Sequence, residues 1–278
     1  MNKLKYKLIV SDFDGTLTPS YYNLVDETTE AIKRYREMGG KFALCTGRPV
    51  SDTSKILGEG GLECDAVCYS QGAIVHVNGK PVLETGIDKK LAYDIISLVE
   101  SKWKRKYLVY VDDKMYYTPA TPDVVLHVSF FVNNGGTGIL VDDVLDCVKA
   151  VEGTMTKFVI IKGEGEDVRD ITKLILDNFG DKVLVNSGNP WFLEVISNQC
   201  TKGTATRLIA EKLGVREDET ITIGDSSNDI EMVEFGFGIA VASGVESVKR
   251  AATYIAPPVT EKPVKFVIDK VLNGEDFI

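Results

Sequence analysis

Short apolar runs that end in acids, glycine or threonine recur along the first third of the chain. Tyr6 to Ser11 (YKLIVS) has the continuous apolar character of a strand buried on both faces. Asp26, with Glu27 and Glu30 in the first turn, predicts a helix start, and Gly39-Gly40 predicts its end. Lys41 to Cys45 predicts the next strand, Ser51 to Leu57 the start of a second helix, and Ala66 to Tyr69 a third strand. Strands alternating with helices predict a parallel sheet with right-handed crossovers. In such a sheet the functional loops leave the carboxyl ends of the strands.

The pattern then changes. Ile74 to Val77 and Pro81 to Leu83 flank Asn78-Gly79, a hairpin signal. A helix is expected from Asp88 to Trp103, then strands at Tyr107 to Val111 and Met115 to Thr118. Helix and strand alternate through Asp142 to Val151, Lys157 to Ile161, Val168 to Phe179, Val183 to Asn186 and Trp191 to Ile196. Thr204 to Leu213 (helix), Thr220 to Ile223 (strand), Ile230 to Phe235 (helix) and Gly238 to Val241 (strand) return to the first style. Pro257-Pro258 precedes a closing helix, Val264 to Leu272. The expected organisation is an α/β, Rossmann-like parallel-sheet core formed by residues 1–84 and 186–278, with residues 85–185 as an inserted α+β domain. A length of 278 residues suits two domains.

Composition narrows the classes. With 44% hydrophobic and 26% charged residues, the chain is of ordinary globular make-up and not disordered or membrane-embedded. Lys+Arg 32 against Asp+Glu 41 leaves 32 − 41 = −9, so neither nucleic acid nor an anionic membrane is an expected partner. A small anion stays open, because one local cation or metal outweighs the global field. The five cysteines do not complete a zinc site and read as buried thiols. The basic start is followed by only Leu8-Ile9-Val10 before polar residues, too short for a signal peptide, so a cytoplasmic location is expected. His76 and His127 read as structural, and Tyr107, Tyr110, Tyr116 and Tyr117 as sheet packing. Gly135 to Gly138 and Gly236 to Gly238 lack the strand-to-helix context of a dinucleotide loop.

The chemistry-bearing residues lie at strand ends. Asp12-Phe-Asp14-Gly-Thr-Leu17 follows the first strand, and two carboxylates two residues apart on extended backbone point the same way. Gly224-Asp225-Ser-Ser-Asn228-Asp229 follows another apolar strand. Two acid clusters at one sheet edge repel unless a cation intervenes, and hard oxygen ligands suit Mg²⁺. Thr46-Gly47-Arg48 ends the second strand, and Lys202-Gly203 precedes the helix beginning near Thr204. Together these supply a nucleophile, an acid/base, a metal and cations, the parts that phosphoryl transfer needs.

These four segments resemble, in order and along the whole chain, the four motifs of the haloacid dehalogenase-like superfamily. The insertion after the hairpin, and Phe192 to Ile196 shortly before Lys202, are similar to the C2-type cap of its Cof-like phosphatase branch. The resemblance implies Mg²⁺-dependent hydrolysis of phosphate monoesters of small metabolites, sugar phosphates foremost, through an aspartyl-phosphate. It implies Asp12 as nucleophile and Asp14 as acid, then base. The metal would rest on Asp12, the Asp14 carbonyl and Asp225. Thr46, the Gly47 amide, Lys202 and Asn228 would bind phosphoryl oxygens beside Arg48, and Asp229 would orient metal waters or Lys202. Gln71-Gly72-Ala73 and Ala242-Ser243-Gly244 depart from the family's usual Asn-Gly-Ala and Met-x-Asn-Ala, which bears on substrate and cap contacts. Asn133 to Gly136 and Ser187 to Asn189 are candidate leaving-group loops. The alternatives are a phosphorelay receiver-like protein, a catalytically silent phosphate-binding protein and a phosphomutase of the same fold. Length and insertion weigh against the receiver. A monomer and a dimer are both compatible with the sequence.

Overall fold

The computed structural model describes residues 4–19, 24–112, 114–119, 122–162, 166–186 and 192–277. The chain begins β1 (Leu8–Asp12), α1 (Asp26–Glu37), β2 (Lys41–Cys45), α2 (Val50–Glu59), β3 (Ala66–Tyr69), β4 (Ile74–Val77) and β5 (Lys80–Glu84). There follow α3 (Lys89–Glu100), β6 (Lys106–Val111), β7 (Lys114–Tyr117), α4 (Pro122–Asn133), β8 (Thr137–Leu140) and α5 (Val144–Ala150). Next come β9 (Met155–Ile161), α6 (Arg169–Phe179), β10 (Val183–Asn186) and β11 (Phe192–Ser197). The last part holds α7 (Lys202–Leu213), β12 (Thr220–Gly224), α8 (Ile230–Val233), β13 (Phe237–Val241), α9 (Glu246–Ala251), β14 (Tyr254–Ala256) and α10 (Pro263–Asn273). Contacts divide these elements into two units, one made of residues up to Arg48, Thr53–Leu83 and Thr201 onward, the other of Pro49–Asp52 and Glu84–Cys200.

In the first unit eight strands lie in the order β14-β13-β12-β1-β2-β3-β4-β5. β1 is central and all five of its residues are buried, as its unbroken apolar run requires. It runs parallel to β2, with Asp12 opposite Cys45, and parallel to β12, with Ser11 opposite Ile223. The carboxyl ends of three strands are therefore level, and the residues that follow them emerge together. The face of α7 bearing Ala205, Ile209 and Ala210 packs on Leu8, Val10, Ala43 and Val75. β4 and β5 form the expected hairpin, with Asn78 and Gly79 at φ 51° and 72°.

The second unit is a six-stranded sheet, β10-β11-β9-β6-β7-β8, antiparallel except for the β7–β8 pair. One face carries α3, α5 and α6, where Ile95, Val148 and Ile175 meet Tyr107, Phe158 and Leu193. The other face carries α4, whose Val128 and Phe131 meet Leu108, Tyr110 and Val159. Tyr107, Tyr110, Tyr116 and Tyr117 are thus sheet packing, and His76 lies edge-on to Tyr69 with centroids 5.1 Å apart. The boundary expected at residue 185 lies later, because Phe192–Ser197 pairs with β9 and β10 and so belongs to the second sheet as far as Cys200. α4, β8, α9 and β14 have no counterpart in the sequence reading. Residues 187–189 and the His127 side chain lie outside the described residues. All five cysteines are free thiols. Among the described residues no helix is long and apolar enough to cross a membrane.

A buried acid staples the far end of the first sheet. Asp65 accepts hydrogen bonds from the Phe42 N–H (3.0 Å), Arg36 Nε (3.0 Å) and Lys41 Nζ (3.2 Å), joining α1, β2 and the start of β3. Burial alone would raise its pKa, but the Phe42 amide and the two cations together hold it below the ordinary carboxylate value. A carboxyl depressed in the fold stabilises fully above its unfolded pKa, and that contribution fades as pH falls through the lower folded value. Asp65→Asn is expected to cost about 1–3 kcal/mol in urea denaturation at pH 7. The gap to wild type should begin to close below about pH 4, where the carboxyl of the unfolded chain takes up its proton, and go on closing as pH falls through the lower folded value.

Candidate active site

The site grows from the level strand ends. Beyond Asp12 the chain turns on itself, with the Leu17 and Thr18 amides donating to the Phe13 carbonyl at 2.9 and 3.1 Å. Gly15 has φ +83°, and a Cβ there would lie 2.5 Å from Asp225 Oδ2, so only glycine lets the β12 loop come this close. Thr16 Oγ1 donates to Asp225 Oδ1 at 3.1 Å and ties the two loops together.

Lys202 is the first residue of α7, capped by Thr201 in a reciprocal box with Thr204. Thr201 Oγ1 also donates to Glu231 Oε2 of α8. The cap fixes the helix start two residues before the position expected from sequence. The Lys202 ammonium donates to Asp12 Oδ1 at 2.5 Å and to Asp229 Oδ1 at 2.6 Å, with all three groups buried. Asp229 Oδ2 in turn accepts the Asp225 and Ser226 amides at 3.0 and 2.9 Å, so both of its oxygens have protein donors.

Carboxylate oxygens of Asp12, Asp225 and Asp229 lie within 4.8 Å of one another. Burial, then the charge of Asp229, push the Asp12 carboxyl well above the ordinary range, and Lys202 opposes them only in part. Burial and Asp229 raise Asp225 as well. Burial would lower the Lys202 pKa, yet Asp12 and Asp229 outweigh it and hold the ammonium charged. Three carboxylates against one ammonium leave an excess of negative charge among hard oxygen donors, which fits Mg²⁺.

The remaining residues stand beside this cluster. Arg48 grips Asp14 bidentately, Nε to Oδ2 at 2.8 Å and Nη2 to Oδ1 at 2.7 Å, above the Phe13 ring. The Asp14 side chain therefore faces Arg48 and not the three acids. Thr46 is buried, its hydroxyl accepting the Arg48 amide at 3.1 Å and its own amide donating to the Cys68 carbonyl at 2.9 Å. Asn228 accepts from Ser226 Oγ at 2.5 Å and donates to Gln71 Oε1 at 2.9 Å, and the Gln71 amide lies over Gly47. Thr16, Ser226 and Glu231 were not singled out as site residues from sequence. The Thr201-x-x-Thr204 spacing is the one signal that could have located the Lys202 helix start.

A model of haloacid dehalogenase-like hydrolases matches residues 9–268. Phosphatase YwpJ of Bacillus subtilis is 28% identical over 268 residues, covering 88% of this chain and 93% of that one. The 5-amino-6-(5-phospho-D-ribitylamino)uracil phosphatase YwtE of the same organism is 25% identical over 293 residues, covering 97% and 99%. Among solved structures, SMU.1108c from Streptococcus mutans superposes with a TM-score of 0.84 at 21% identity, covering 96% and 99%. The family match takes in all four segments that build the site, and the chain belongs to the haloacid dehalogenase-like hydrolases.

Proposed function

We propose that this enzyme hydrolyses phosphate monoesters of small metabolites, sugar phosphates among them, with Mg²⁺ and through an aspartyl-phosphate. The observation that carries this reading is the buried Lys202 ammonium between Asp12 and Asp229, with Asp225 alongside. In this reading Asp12 attacks phosphorus as the bond to the leaving oxygen breaks. Asp14 protonates that oxygen, then takes a proton from the water that attacks the acyl phosphate, returning Asp12 and releasing inorganic phosphate. Both Asp14 oxygens are engaged by Arg48, so the carboxyl has to part from the guanidinium before it can serve.

Lys202, the Thr46 hydroxyl, the Gly47 amide and Asn228 hold the phosphoryl oxygens. Asp229, whose oxygens are taken by Lys202 and the 225–226 amides, orients and does not ligate. Asp12, the Asp14 carbonyl and Asp225 are the proposed Mg²⁺ ligands. A carboxylate 4 Å from a phosphate oxygen is repelled by about 4 kcal/mol per charge pair at an effective dielectric near 20. One ammonium does not offset several such terms. A divalent ion, when bound, would cancel this repulsion and polarise the phosphoryl group. Glu84–Cys200 is proposed as the family's C2-type cap.

Three outcomes test the reading. Hydrolysis of p-nitrophenyl phosphate should vanish in EDTA and return with Mg²⁺, and full turnover in metal-free buffer would overturn the metal assignment. Asp12→Asn should lower kcat by roughly ten-thousandfold or more, whereas a rate equal to wild type removes Asp12 as nucleophile. Lys202→Met leaves the acids uncompensated and is expected to cost about 3–5 kcal/mol in urea denaturation of the metal-free protein. Added Mg²⁺ should recover part of that loss, read as a shifted midpoint.

A further inference from the structure

Ser70 and Gln71 are consecutive non-glycine residues in the left-handed region, at φ 48° and 63°. Such backbone is costly and persists where its surroundings over-determine it. Here the Ser70 amide donates to the Arg48 carbonyl at 2.8 Å and the Gln71 amide to the Thr46 carbonyl at 3.0 Å, so the turn is stitched to the loop after β2. The result delivers a buried Gln71 side chain between two phosphate-binding candidates. Its Oε1 accepts one N–H of Asn228, whose Oδ1 is held from the other side by Ser226 Oγ. Its Nε2 end lies 2.5 Å from where a Gly47 Cβ would sit, so it covers the Gly47 backbone.

We infer that Gln71 is a positioning residue for phosphoryl binding: it fixes the Asn228 amide so that its second N–H is presented to a ligand, and it packs the Gly47 loop against the same site. The inference rests on the phosphatase reading above and deepens it. Side-chain length matters in this account. Asparagine at position 71 is one C–C bond, about 1.5 Å, shorter and falls short of Asn228. Methionine keeps the length and the cover over Gly47 but offers no good acceptor.

The test measures kcat/KM for p-nitrophenyl phosphate with Mg²⁺, and inhibition by inorganic phosphate. It compares wild type, Gln71→Asn, Gln71→Met, Asn228→Ala and the double variant Gln71→Met/Asn228→Ala. Each Gln71 variant should lose about tenfold in kcat/KM and weaken phosphate inhibition by a similar factor. A merely structural role would lower the amount of folded enzyme and leave the inhibition constant unchanged. If Gln71 acts through Asn228, the double variant should fall within about twofold of Asn228→Ala alone. Losses that multiply in the double variant, or a folded Gln71→Met with wild-type kcat/KM and phosphate inhibition, overturn the positioning role alone. Should Gln71→Asn fail to fold, the Met pair carries the comparison. A wild-type protein that neither hydrolyses the ester nor binds phosphate overturns the phosphatase reading and this inference with it.

Discussion

The arrangement depends on one buried cation. Lys202 sits between Asp12, at the end of β1, and Asp229, in the loop after β12, and its ammonium is what allows two carboxylates to be buried so close together. Removing charges from water is expensive, and a buried pair returns that cost only with good geometry and full hydrogen bonding. Both conditions are met by connections that reach outward. Asp229 is held by two backbone amides, and Lys202 is held by a capped helix start. The compensation is incomplete, since Asp225 adds a third carboxylate. That shortfall leaves an excess of negative charge on close-set carboxylate oxygens, a donor set of the kind that suits a divalent cation.

The sheet register places this cation. β2 and β12 flank β1 in parallel, with Asp12 opposite Cys45 and Ser11 opposite Ile223, so the loops that follow begin at nearly the same height. Loops from level strand ends meet over the edge without long excursions, and the close approach of Gly15 to Asp225 follows from it. The apolar interior of β1 and its polar end are thus two parts of one device. The buried run anchors the strand, and the anchoring sets where the acids stand.

Much of this was legible in sequence. β2, β3 and β10 lie within the stated bounds, because continuous apolar runs closed by turn residues leave little choice. α4 was not legible, since Val124, Val125, Val128, Phe130 and Phe131 are residues that favour strands, and helix is imposed by packing on the second sheet. The misplaced boundary at residue 185 has a different cause. Phe192 to Ile196 reads as a strand in either unit, and only pairing with β9 decides to which sheet it belongs. The acids were expected at the ends of β1 and β12 and Lys202 at the start of a helix, and these are the positions they occupy. The Arg48–Asp14 grip and the Gln71–Asn228 bond were not legible, because each depends on side-chain direction, and the second on a left-handed turn that serine and glutamine seldom adopt.

The second unit ends at Cys200 and Lys202 opens α7, so a single residue, Thr201, separates a domain of more than a hundred residues from the buried ammonium. Thr201 is clamped at once by its reciprocal bonds with Thr204 and by its hydroxyl on Glu231. Thr201, held in this way, sets the first turn of α7 and with it the position from which Lys202 reaches Asp12 and Asp229.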